Sequence, residues 1–108
     1  MATVSNIVID QGTTYSFTFT VENSDGSAKD LSSYTVAAQL RKSYYTSTKV
    51  DFTTTKVDNS GEITISLTAA ETSGLKAGRY VYDIEIDDTT ETLRILEGIV
   101  TVTPEVTR

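Results

Sequence analysis

Cysteine, histidine and tryptophan are absent from the 108 residues, and proline and methionine occur once each. Each absence closes a class of function. Without histidine or cysteine there is no thiol nucleophile, no imidazole acid or base, no Cys/His zinc site and no disulfide framework. The 6 glycines are scattered singly, so no glycine-rich loop is present to cradle a phosphate. No apolar run approaches the roughly 20 residues that a membrane span requires. Met1 to Asp10 also lacks the basic start, apolar stretch and small-residue cleavage site of a secretory signal. Basic residues are in deficit, 9 against 15 acidic ones, and the net charge of −6 repels phosphate backbones and anionic headgroups. Neither nucleic acid nor membrane is an expected partner. No catalytic residue, cofactor or metal ion is expected, and the chain is expected to be a soluble, non-enzymatic protein.

What the sequence has instead is 20 threonines and 11 serines spread along alternating segments. Tyr15, Phe17, Phe19 and Val21 alternate with Ser16, Thr18, Thr20 and Glu22, the period of a strand with one buried and one wet face. Val4 to Ile9 reads as a β-branched strand before it, and Asn23 to Gly26 as a tight turn after it, with Asp25-Gly26 supplying a positive φ. Tyr34, Val36, Ala38 and Leu40 form the inward row of a strand running to about Lys42. Val50 and Phe52 give a strand over Thr48 to Thr55, and Asp58 to Gly61 a turn leading into Ile63, Ile65 and Leu67. Threonine suits the outward positions of these strands because its branched side chain fits a pleated surface.

One helical signal interrupts the pattern: Thr68 as N-cap, Glu71 at the third helical position and Gly74 as the stop. Tyr80, Tyr82, Ile84 and Ile86 then line one face of a strand that turns at Asp88 to Thr90 into a last segment, Glu91 to Thr103. There Leu93 and Ile95 share one phase while Leu96, Val100 and Val102 share the other, so a bulge is expected around Glu97 and Gly98. Pro104 ends the sheet, with Glu105 to Arg108 expected as a frayed tail. Seven or eight short strands with one helical turn make a single domain over residues 1–108, an all-β antiparallel sandwich.

Two clusters carry potential chemistry. Asp83, Glu85 and Asp87 project from one strand face about 7 Å apart, with Asp88 beside them. Calcium requires six to eight converging oxygens, and a flat strand face spreads its carboxylates, so solvated face charge is the expected role. The same spacing suits glycoside hydrolysis, but the aromatics that would line a sugar pocket fall in the core phase. The second cluster is Arg41, Lys42 and Lys49 with Tyr44 and Tyr45 between them. Period two forces one of the adjacent tyrosines off the buried face. Arg41, Tyr44 and Tyr45 are the candidate partner-binding residues, since tyrosine and arginine are favoured at interface centres. A solvated loop is the alternative, and the net acidity argues against nucleic acid.

The run Leu67 to Glu71 followed by Gly78, Arg79, Tyr80, Val81 and Tyr82 resembles the corner before strand F of immunoglobulin-like domains. Tyr80 matches the corner tyrosine, whose hydroxyl bonds to upstream backbone, and Tyr82 stands where antibody-type domains place the second cysteine. The disulfide and the core tryptophan of those domains are absent here. Over nearly the whole chain, Ile7 to Tyr15, Asp30 to Thr35, Ala77 to Asp83 and Leu96 to Arg108 resemble small tailed-bacteriophage and prophage proteins with immunoglobulin-like β-sandwiches, similar to amino-terminal modules of baseplate and receptor-binding proteins. The resemblance implies a virion structural or accessory protein at the capsid, neck, tail or baseplate. It implies assembly with other virion proteins, in many copies or as a homo-oligomer, with the host cytoplasm as its place before assembly. The alternative from another class is a carbohydrate- or receptor-binding adhesion module using Tyr44 and Tyr45.

Overall fold

The computed structural model describes residues 3–43, 45 and 49–106. Its strands follow the alternation. β1 (Thr3–Val4), β2 (Ile7–Asp10), β3 (Tyr15–Thr20) and β4 (Thr35–Arg41) precede β5 (Lys49–Asp51), β6 (Thr53–Val57) and β7 (Glu62–Leu67); after α1 (Ala69–Ser73) come β8 (Gly78–Asp87) and β9 (Thr92–Thr103). One sheet has six strands in the order β1-β9-β8-β4-β5, with β2 also on β9; the other has three, in the order β3-β7-β6. These are the partnerships of strands C′, C, F and G and of strands B, E and D in an immunoglobulin-like sandwich.

The inward rows meet between the sheets. Ile63, Ile65 and Leu67 from β7 pack with Ile84 and Ile86 from β8, Val100 and Val102 from β9, Leu40 from β4 and Ile9 from β2, all buried. Leu31, between β3 and β4, is also fully buried, and its N–H donates to the Asp58 carbonyl at 3.0 Å, tying the crossover to the β6–β7 turn. The helical turn forms where the capping pattern places it. The Glu71 N–H donates to the Thr68 hydroxyl at 3.1 Å and the Thr68 N–H to the Glu71 carboxylate at 2.8 Å, satisfying two donors that a five-residue helix otherwise leaves open.

The corner tyrosine is present as well. The Tyr80 hydroxyl donates to the Lys76 carbonyl at 2.8 Å, four residues upstream, and the Lys42 ammonium sits 4.8 Å above its ring. Tyr82 lies inside the core, edge-on to Phe52 with ring centres 6.4 Å apart, and its hydroxyl donates to the Ser5 carbonyl.

Four details depart from the sequence reading. The amino-terminal segment is two short strands, not one, and both run parallel to β9, an exception in an otherwise antiparallel sandwich. The segment expected as one strand over Thr48 to Thr55, whose first residue lies outside the described residues, changes sheets at Phe52. β5 pairs with β4, β6 pairs with β7, and the Phe52 N–H donates to the Ala38 carbonyl at 2.9 Å. A buried ring at the crossing lets the chain bend without exposing its pivot.

The bulge lies at Ile95 rather than Glu97 and Gly98. Ile84 faces Leu96 while Glu85 faces Arg94, because Leu96 is buried and the extra residue must come before it. Gly98 instead makes room for backbone, since a Cβ there would overlap the Ser5 carbonyl oxygen. Finally, Glu105 is held rather than frayed, donating its N–H to the Gln11 side chain at 3.0 Å, while Val106 is exposed and Thr107 and Arg108 fall outside the described residues.

Three outcomes follow from this packing. Gly98→Ala is expected to push Ser5 off β9 and cost about 1 to 3 kcal/mol, the usual range for overpacking, measured by chemical denaturation. Tyr80→Phe is expected to cost about 0.5 to 1.5 kcal/mol, the worth of one hydrogen bond; an unchanged denaturation midpoint would remove the corner. The third concerns alkali. Burial, reinforced by the neighbouring Tyr82, pushes the Tyr15 phenol up to about 12 from 10.0, and burial raises Tyr82 too. The unfolded chain therefore loses these protons first. Stability from Tyr15 is complete below pH 10 and is expected to be lost as pH rises towards 12, with Tyr15→Phe showing a shallower decline in Tm.

Candidate partner-binding surface

The outward positions of β4, β8 and β9 build one polar face on the six-stranded sheet. Ala37, Gln39 and Arg41 stand opposite Glu85, Asp83 and Val81 across the β4–β8 ladder, and Asp83 stands opposite Glu97 across the next. Together with Arg94 they line a shallow depression of about 350 Å³. Arg94 is its electrostatic centre, with Nε 3.2 Å from the Asp83 carboxylate and a terminal nitrogen 3.6 Å from that of Glu97. The Arg41 guanidinium donates to the Gln39 side-chain oxygen at 3.2 Å. These are solvent-touching contacts, and exposed ion pairs contribute at most about 1 kcal/mol. The face offers alternating acids, bases and an amide that a polar partner can engage at modest desolvation cost.

The carboxylate cluster therefore divides. Asp83 and Glu85 join this face. Asp87 and Asp88 serve the β8–β9 hairpin, accepting from the backbone of Thr89 and of Thr90 and Glu91, respectively. The bonds from Glu91 and then Thr90 hold the Asp88 carboxyl below the ordinary range. This cradle supports Thr89 at φ +77°, the one non-glycine residue with positive φ among the described residues. Among the described residues no group of three acids is placed to hold a metal ion.

Of the three residues singled out for partner binding, Arg41 lies in the depression. Tyr45 is 98% exposed, in the loop after β4, and does not line it. Tyr44 lies outside the described residues. Sequence reasoning missed Gln39, Arg94 and Glu97. Each is in the outward phase of its strand, but only the position of the bulge fixes Glu97 beside Arg94, and cross-strand neighbours are not visible in a single sequence.

No family model and no curated protein matches the chain. Among solved structures, a family 123 glycoside hydrolase from Clostridium perfringens, described for glycolipid glycan hydrolysis, is similar over 97% of this chain at 14% identity and a TM-score of 0.43. The chain spans only 24% of that protein's length.

Proposed function

We propose that the chain is a non-enzymatic structural or accessory subunit of a tailed-bacteriophage virion, held among other virion proteins at the capsid, neck, tail or baseplate. The resemblance is the source of this reading, and one observation supports it: three of its four matching segments are contiguous in space. Ile7 to Tyr15 contributes β2, which pairs with Val100 to Thr103 of β9, in the last matching segment, and Ala77 to Asp83 contributes the start of β8 on the other side of β9. Gln11 ties the first and last segments, its N–H reaching the Thr103 carbonyl at 3.0 Å and its side chain accepting from Glu105. The remaining segment, Asp30 to Thr35, is the crossover that buries Leu31. Three of the four matching segments thus form one connected framework around β9, and that framework supplies Asp83 and Glu97 to the mixed-charge face.

An adhesion module for carbohydrate or a receptor is the second reading, favoured by the full exposure of Tyr45. The two separate in one experiment: purified protein is mixed with particles stripped of accessory proteins, and its recovery is quantified. Fixed stoichiometry is expected, with Arg41→Ala plus Tyr45→Ala weakening recovery by about tenfold or more if these residues centre the contact. Protein that ignores the particle yet binds cells or a glycan array would replace the structural reading with the adhesion one.

A further inference from the structure

The inward row of β3 is less well covered than that of its neighbour. Ile63, Ile65 and Leu67 of β7 are at most 1% exposed, whereas Phe19, Phe17 and Tyr15, directly opposite them, are only partly buried. The Phe17 and Phe19 rings stack with centres 5.9 Å apart. Phe19 also lines, with Val21, Leu93, Ile95 and Leu96, a groove of about 680 Å³ between the two sheets.

The backbone of β3 has an open side too. Val21 donates its N–H to the Gly61 carbonyl at 2.8 Å, in the same register that sets Phe19 against Ile63. Bonded pairs recur every second residue in an antiparallel ladder, so Tyr15, Phe17 and Phe19 turn their N–H and C=O groups to β7. Those of Ser16, Thr18 and Thr20 turn away from it. No described strand lies on that side, where immunoglobulin sheets set strand A, because the amino-terminal strands here go to β9.

The other edges carry the usual guards against strand addition. β5 has three residues, two of them the ion pair Lys49 and Asp51. β6 directs Lys56 to the Leu31 carbonyl at 2.9 Å and the Asp58 carboxylate at 2.6 Å. The β1 and β2 edge is broken at Ser5 and Asn6 and ends at Asp10. β3 has none of these: no charge, proline or glycine occurs from Tyr15 to Val21.

We propose that this edge pairs with the same strand of a second copy, antiparallel about a twofold axis through Thr18, fusing two three-stranded sheets into one. The self-complementary row of hydroxyls and aromatics selects this occupant, and charge permits it. In a chain of net charge −6, most self-contacts oppose like charges, and this strand brings none. In that register Thr18 faces the partner's Thr18 and Ser16 faces the partner's Thr20, both favourable polar pairs. On the other side, Phe17 meets the partner's Phe19, and each copy covers the other's partly buried aromatics. Three bonded pairs supply about six backbone hydrogen bonds, fewer than the roughly ten of a standard interface, so the dimer is concentration-dependent.

The inference rests on the edge alone and stands or falls separately from the virion reading. Sedimentation equilibrium of the intact protein from micromolar to millimolar concentration tests it. A monomer–dimer equilibrium is expected, weakened about tenfold or more by Thr18→Lys, which sets lysine against lysine on the edge, and unchanged by Thr101→Lys on the other sheet. Amide exchange gives a second reading in the wild type: the Ser16, Thr18 and Thr20 amides are expected to slow as concentration rises while the rest of β3 stays constant. A monomer throughout, a dimer indifferent to Thr18→Lys, or exchange at these amides independent of concentration would overturn the proposal.

Discussion

The carbonyl of Ser5 occupies the space that a side chain at position 98 would need, and the hydroxyl of Tyr82, directly across the ladder from Gly98, donates to it. Much of the sandwich depends on this three-residue contact. It brings the amino-terminal segment against β9, seats Ile7 and Ile9 in the core, and anchors the ring that packs on Phe52 where the chain changes sheets. A tyrosine thus stands at the position of a disulfide cysteine in antibody-type domains, joining distant segments by a ring and a hydrogen bond instead of a covalent link.

Other polar contacts work alongside it at the sandwich margins. The Thr54 hydroxyl reaches the Val36 carbonyl at 3.4 Å between sheets, and the buried Thr72 hydroxyl donates to the Thr13 carbonyl at 2.7 Å, fixing the helical turn against the turn after β2. The Gln11 side chain bridges the Leu75 carbonyl at 2.7 Å and the Glu105 N–H. Among the described residues, no buried side-chain polar atom is left without a partner. For a buried hydroxyl such as that of Thr72 this matters, since an unpaired one costs about 1 to 3 kcal/mol.

The fold was legible wherever a local rule determined it. Alternation gave the inward rows of β4, β7 and β8, the capping pattern gave α1, and Asp25-Gly26 gave a turn with Gly26 at φ +88°. It was illegible where the deciding contact is remote. A parallel partner for Ile7 lies 93 residues away at Val100, and nothing near Phe52 marks a change of sheet. The two phases of β9 announced a bulge but not its place, because Gly98 offered a local reason while its actual cause was the backbone of Ser5. The surface was less legible still. Arg41 was found from its residue type and neighbours, but Arg94 became its neighbour in the depression only through strand pairing.

Because β2 runs parallel to β9, the chain enters this domain at one pole, beside Leu96, and leaves at the other, beyond Thr103. Tension applied through the two ends would slide β2 along β9 instead of peeling it away. The bonds between Ile7–Asp10 and their four partners would then bear load together, and rupture would require breaking them at once. An antiparallel terminal pair, by contrast, would open one bond at a time. The direction of one short strand therefore sets how this sandwich meets a pull along its length: in shear, with its terminal ladder loaded all at once.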